Sequence, residues 1–360
     1  MPHFRGRDVL LLGSVGLASA EEVFRTAAAM LGERAPRIPD GETGYARSVW
    51  TQCQRPYFLG NPSLEMVEPN PEQPGTYRPA TVPSAGIYGH TRAEMYRGRA
   101  RLRPGVTPSE LRFDNLGYAE WAQESYAVFK RLKQDGVISP RTRFQVSIPA
   151  PSILVNMHVL PEAQAQVGPV YTEALFREIE RLARAIPVAE LAIQWDTTHP
   201  PLYETGPKEG RASILEHLVG LAGHVSDDIE LGYHLCYGDF EHRHGVQPKD
   251  LQTCVDIANE LVKGTKREVN WIHMPVPRDR SDEAYFAPLR ELRLPAATRL
   301  YLGLVHYTDG LEGARRRLEA AVQAAPEFGV ATECGLGRRI GQDIPELLRL
   351  HAAVADLEVH

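Results

Sequence analysis

From residue 191 onward the chain repeats one pattern: a short apolar run, a polar segment, then a stretch with helical spacing of apolar positions. The apolar runs are Leu191–Trp195, Ile229–Tyr233, Val269–Ile272, Arg299–Val305 and Phe328–Thr332, each of strand length. Just ahead of the first run, Leu175, Ile179, Leu182 and Ile186 fall on one helix face. After the last run, Asp343 is placed to cap a final helix that turns Leu347, Leu350 and Val354 toward the core. Strands separated by helices pair in parallel, because a parallel pair needs a crossover of that length. The first half adds Asp8–Gly13, Arg37–Pro39 and Arg143–Ile148. Eight strands in 360 residues, each followed by helix or a long loop, predict an α/β fold of the (β/α)8 TIM barrel type. The segment from Tyr57 to Pro108, rich in Pro, Gly and Tyr and poor in periodicity, reads as an irregular insertion after the second strand, lying over the barrel mouth, with room for short strands of its own. No linker divides the chain, so residues 1–360 are expected to form one domain. An open doubly wound sheet is the competing architecture.

Composition narrows the function classes. With 43% hydrophobic and 24% charged residues the chain is of ordinary globular type, long enough to bury a core without staples. The net charge of -6 is mild and basic residues do not gather on one element, which argues against nucleic acid as a partner. No run approaches the roughly 20 apolar residues of a membrane span. The apolar run Val9–Leu12 stops at Gly13, too short for the core of a signal peptide, so a cytoplasmic location is expected. Cys53, Cys236, Cys254 and Cys334 have no disulfide-framework spacing; in a reducing compartment such cysteines are buried, catalytic or metal-bound. No phosphate-cradling glycine loop is present.

In a parallel barrel the residues just past each strand line one rim, where the active site lies. Here that rim carries Ser14, Asp40 and Glu42, Ser147, Asp196, His234 and Cys236, His273, His306, then Glu333 and Cys334. The sharpest pair is His234-Leu235-Cys236, because a spacing of two on an extended backbone puts both side chains on one side. Alone, such a pair is more often a buried histidine beside an inert core thiol. Cys334, at the end of the last strand, supplies a third soft donor, and two thiolates with an imidazole suit zinc better than magnesium or calcium.

These residues bring a family resemblance. Gly232-Tyr233-His234-Leu235-Cys236-Tyr237 resembles the His-x-Cys zinc motif of the cobalamin-independent methionine synthases. Glu333-Cys334-Gly335-Leu336-Gly337 is similar to that family's C-terminal Asp-Cys-Gly-Leu motif, which contributes another zinc-ligand cysteine. Ala192-Ile193-Gln194-Trp195-Asp196 resembles a segment whose Asp holds the amino-acid substrate, and Asp40-Gly41-Glu42 one whose Glu has a similar duty. Leu304-Val305-His306 falls where the family has an active-site histidine, and Gly13-Ser14 resembles its opening turn. The matches run in the family's order along nearly the whole chain. The resemblance implies a TIM barrel and a zinc ion that activates a thiol for S-alkylation. His273 stands where the family has a glutamate ligand, and is expected either as the fourth ligand or as an acid or base beside a three-ligand ion. The family's second, N-terminal barrel-like domain, which helps bind folate, has no counterpart, so the resemblance points to a shorter single-barrel branch belonging to the broader uroporphyrinogen decarboxylase and methionine synthase superfamily.

The resulting expectation is a zinc-dependent transferase that moves a methyl or other alkyl group to or from the sulfur of a small thiol or thioether. His234, Cys236, His273 and Cys334 are the metal residues. Asp196 and Glu42 orient the substrate, and His306 moves a proton. The alternatives are a zinc hydrolase or lyase using metal-bound water, a metal-free barrel like uroporphyrinogen decarboxylase, and a silent binding protein, which the density of ionisable side chains at the rim disfavours. His242 and His244 form either a second cluster or a solvated loop. Arg37, Arg47, Arg338 and Arg339 are candidate anion holders or surface ion pairs, and Trp195 and Trp271 candidate pocket walls. Cys254, in a helical pattern with Val255 and Ala258, reads as core.

Overall fold

The computed structural model describes residues 6–44, 47, 51–80, 98–198, 208–240, 243–244 and 246–358. Among these, an α/β fold is built on a parallel sheet of seven strands, in sequence order across the sheet. They are β1 (Arg37–Pro39), β2 (Arg143–Pro149), β3 (Leu191–Thr198), β4 (Glu230–Cys236), β5 (Trp271–Pro275), β6 (Arg299–Val305) and β7 (Gly329–Thr332). Each strand read from an apolar run in the second half of the chain is present, with ends shifted by up to three residues.

The run Asp8–Gly13 is not a regular strand. It is held instead by single parallel bridges, Val9 to Val330 beside β7 and Ser14 to Gly41 just past β1, so it touches both ends of the sheet. The segment expected to be irregular holds a small antiparallel sheet of Leu64–Pro69, Tyr77–Pro79 and Arg99–Leu102. Residues 81–97 of that segment, together with His242 and the side chain of His244, lie outside the described residues.

Alternation along the strands sorts side chains into two cores. Outward-facing Ile193, Trp195, Ile272 and Met274 pack in the larger core with the helices, among them Ala20–Leu31, Tyr118–Gln134 and Gln164–Ala185. There Phe24 meets Phe129 edge-on at 5.3 Å between ring centres. Inward-facing Ala192, Trp271, Tyr301 and Ala331 form a second, smaller core with Leu10 and Leu12. Two glycines make room for its large rings. A Cβ on Gly232 would lie 2.0 Å from the Trp271 indole, and one on Gly329 would lie 2.3 Å from the Tyr301 ring. Below this layer the buried Arg37 guanidinium sits 4.2 Å from the Trp271 ring centre and pairs with Glu230, which also takes Arg143 at 2.9 Å. Arg37 therefore belongs to the floor of the sheet, away from the strand ends. Trp271 lies inside the sheet's curve and Trp195 under the helices, so neither stands at the rim.

Candidate metal centre

The strand register lines up the chemistry. Asp196 on β3 pairs with His234 on β4, and His234 with His273 on β5. Register partners in a parallel sheet share a face, so the three side chains stand side by side on the concave surface. Cys236 follows two residues further up β4, on the same side as His234. Cys334 arrives from the far end of the sheet, two residues past β7. One ligand atom from each of His234, Cys236 and Cys334 lies within 4.8 Å of the others. His234 and Cys236 are buried and Cys334 is half-buried.

Close backbone approaches hold Cys334 there. Thr332 donates its hydroxyl to the Cys334 carbonyl at 2.7 Å. The turn after Cys334 is bridged to the N-terminal segment through Val15 and Leu336, and Gly337 N–H donates to Ser14 Oγ at 3.3 Å. A Cβ on Gly335 would stand 2.4 Å from Ser14 Oγ, which is why the residue after the cysteine is glycine. The neighbouring Cys236 thiol and burial together push the Cys334 thiol well up. A cation between the sulfurs would reverse that preference, because it favours thiolate over thiol. One imidazole and two sulfurs at this spacing are the donor set of a tetrahedral zinc site with one position left for another ligand. The residues fit the metal.

His273 sits behind His234 rather than beside the three donor atoms. It is fully buried, its Nδ1 is 2.8 Å from His234 Nδ1, and its Nε2 is 3.0 Å from the Thr332 carbonyl. Both ring nitrogens are engaged. Burial, reinforced by His234, holds its pKa far below the usual histidine value.

The two carboxyl groups approach from β3 and from the turn past β1. Burial, aided by Glu42 and Cys334, pushes the Asp196 carboxyl up to about 8 against the opposing pull of His234 and Gln194, whose amide donates to it at 2.8 Å. Burial also pushes Glu42 up to about 8, with Asp40 and Cys334 adding to it and Arg47 opposing. Glu42 has φ 50, the left-handed region that side chains other than glycine seldom occupy. Such conformations persist where surrounding structure imposes them, often at functional sites. Here Asp40 imposes it, accepting from Glu42 N–H at 2.9 Å and from both Arg47 terminal nitrogens at 2.6 and 3.1 Å. Arg47 thus serves an ion pair beside the strand ends. Arg338 is exposed, and Arg339 lies 5.8 Å from the Tyr307 ring centre.

His306, one residue past β6, is buried. Its Nε2 is 2.9 Å from the Val276 carbonyl, and its Nδ1 is 3.3 Å from Glu333 Oε2. Burial, with Arg317 close by, pushes it down to about 3. Arg317, 1% exposed, donates Nε to the Leu304 carbonyl at 2.9 Å and both terminal nitrogens to Asp309 at 2.6 and 2.9 Å, clamping the turn that carries His306. Cys254 lies in the helix Gln252–Gly264, fully buried, its sulfur 3.2 Å from the Tyr237 hydroxyl, and Cys53 is buried elsewhere; neither belongs to the three-residue group. Gln194, in its contact with Asp196, and Arg317 escape a reading of strand ends. Only Gln194 leaves a signal, standing two positions before Asp196 and so on its face.

No protein-family profile and no curated protein sequence matches the chain. Solved structures do. A Listeria monocytogenes protein assigned as a vitamin B12-independent methionine synthase superposes with a TM-score of 0.54 at 14% identity, over 96% of each chain. The B12-independent methionine synthase of Shewanella sp. W3-18-1, solved with selenomethionine, gives 0.57 at 12% identity, over 97% of this chain and 96% of the other. A methyltransferase from Methanosarcina mazei gives 0.52 at 12% identity, over 98% and 94%. The likeness is one of fold. Among the described residues no helix is long and apolar enough to cross a membrane.

Proposed function

We propose that the chain is a zinc-dependent transferase that moves a methyl or other alkyl group to or from the sulfur of a small thiol or thioether. The observation that carries the reading is the meeting of His234, Cys236 and Cys334, two strands and a terminal turn far apart in sequence, within one cation's reach. Their placement at the C-terminal ends of parallel strands agrees with a (β/α)8 barrel closed by residues 8–15, the antiparallel insertion lying over its mouth and the whole forming one domain. The selenomethionine in the Shewanella structure supports a small-molecule substrate of this kind.

In this reading His234, Cys236 and Cys334 hold the metal. When bound, zinc favours the thiolate form of a substrate whose free thiol, with a pKa near ~8.5, is mostly protonated at neutral pH. Asp196 and Glu42 orient the remainder of the substrate. Each carboxyl, raised to about 8, holds its proton at neutral pH, and an arriving ammonium group would displace that proton and form a buried ion pair. His306 is assigned to move a proton. Its Nε2–H is committed to the Val276 carbonyl, so Nδ1, facing Glu333, is the atom it would use, and with its pKa held down at about 3 it would pass a proton on rather than store it. The test is metal analysis of wild type beside Cys334→Ser, with alkyl transfer to small thiols followed in parallel. One zinc per chain in wild type and loss of both metal and transfer in the variant is the expected result. Metal-free protein with full turnover, or turnover that needs no thiol, overturns the proposal.

A further inference from the structure

We propose that His273 is a positioning residue rather than a metal ligand: it locks His234 in the tautomer that turns a bare Nε2 toward Cys236 and Cys334, leaving three protein ligands and one open position. The inference rests on the zinc reading above and deepens it. Its basis is a chain of two hydrogen bonds whose direction can be worked out from the acceptor at its end. Two backbone groups engage His273, those of Thr332 and Leu235; the Thr332 carbonyl is the one in hydrogen-bond geometry, 3.0 Å from Nε2, and it cannot donate, so Nε2 carries the hydrogen. His273 is fully buried, and an imidazole buried without a counter-charge is neutral, because taking an isolated charge out of water is strongly unfavourable. Neutral His273 with hydrogen on Nε2 has a bare Nδ1. That atom lies 2.8 Å from His234 Nδ1, which must therefore be the donor. His234, with its hydrogen on Nδ1, keeps the Nε2 lone pair for a metal.

The same contacts tie the two halves of the donor set together. Thr332 accepts from His273 through its carbonyl and donates to the Cys334 carbonyl through its hydroxyl at 2.7 Å. His273 on β5 thus spans from the ligand on β4 to the strand that delivers Cys334. As a ligand, His273 would have to give up one of these two contacts and swing toward the sulfurs. Two thiolates with one imidazole neutralise a divalent cation, so a further anionic ligand is not needed for charge balance.

The test is zinc affinity, by competition with a chromophoric chelator, for wild type, H273Q and H273L, with absorption spectra of the cobalt(II)-substituted proteins. Glutamine retains both contacts, its carbonyl accepting from His234 and its amide donating to Thr332, whereas leucine retains only the bulk. Expected are near-wild-type affinity and a coincident cobalt spectrum for H273Q, and affinity weakened by ~10- to 100-fold for H273L. H273Q weakened as much as H273L, with an altered cobalt spectrum, would make His273 a ligand and overturn the proposal, as would wild-type affinity in H273L. Wild-type protein that takes up neither zinc nor cobalt overturns the metal reading itself, a result distinct from either of these. Should H273L fail to fold, nitrogen NMR of histidine-labelled wild type decides the matter: hydrogen on His234 Nδ1 supports the lock, and hydrogen on Nε2 overturns it.

Discussion

Gly232→Ala tests how the layer beneath the centre supports the residues above it. The new Cβ would stand 2.0 Å from two atoms of the Trp271 indole and 2.4 Å from a third, far inside contact distance. The ring has nowhere to go. Arg37 covers it at 4.2 Å, its nitrogen reaches Gln194 Oε1 at 3.4 Å, and Leu10, Leu12 and Tyr301 complete the cluster around it. Overpacking of this kind costs about 1–3 kcal/mol and sometimes more. Because Gly232 is two residues before His234 on the same face of β4, the displacement should also reach the donor set. The assay is urea unfolding followed by circular dichroism, with zinc content measured on the same samples. Trp271→Ala alone should cost about 3–5 kcal/mol through lost burial and the cavity left behind. Combined with Gly232→Ala it should cost less than the sum, by about 1–3 kcal/mol, since the methyl then occupies space the indole vacated. Additive losses, or a Gly232→Ala protein as stable as wild type, would refute the account of this layer.

Three further outcomes are expected. Burial holds His158 and His351 at about 4, each with a ring nitrogen on a backbone carbonyl, against an unfolded value near ~6.5. The unfolded chain then binds the extra protons, so stability falls as pH drops from ~6.5 toward 4 and levels off below, by up to about 3 kcal/mol per ring; urea midpoints against pH should show this, with a shallower fall for His351→Gln. Cys254→Ser should leave zinc content unchanged while Cys236→Ser abolishes it, as read by metal analysis of both. Asp196→Asn should raise the melting temperature at pH 8, since it removes a buried carboxyl whose raised folded value costs stability as pH rises from ~4 to 8, while alkyl transfer is lost; scanning fluorimetry beside an activity assay checks both.

Much of the architecture was readable in the chain because strands buried on both faces leave continuous apolar runs, as at Leu191–Trp195 and Arg299–Val305. The first run, Asp8–Gly13, was harder to place: its backbone makes only isolated bridges, although its side chains are as apolar as those of a strand. The small antiparallel sheet of Leu64–Pro69, Tyr77–Pro79 and Arg99–Leu102 showed in the sequence only as short strands without bounds, because they are half-exposed and carry Pro, Arg and Glu rather than an apolar stripe. At the centre, the period of two made His234 and Cys236 visible as a pair, and the end of the last run marked Cys334. The role proposed for His273 was not visible, since tautomers and hydrogen-bond direction depend on which carbonyl lies across the sheet. Trp271 looked like a rim residue because it borders His273, yet two residues along a strand is a full layer of depth. The pairing of Arg317 with Asp309 follows from one helix turn seated against a loop, and nothing in the order of residues announces it.

The donor set is also a statement about the order of events during folding. Residues 234 and 236 sit on one strand, but their third companion is separated from them by β5, β6 and β7 and the helices between. A nascent chain that has completed only β4 can offer an incoming ion two donors at most. On the proposed metal reading the full grip would form only when the last strand docks, after the longest-range pairing has been made and its loop-closure entropy spent. Ion capture would then act as a latch that selectively retains molecules whose sheet is finished, and refolding with zinc present should slow unfolding more than it speeds assembly.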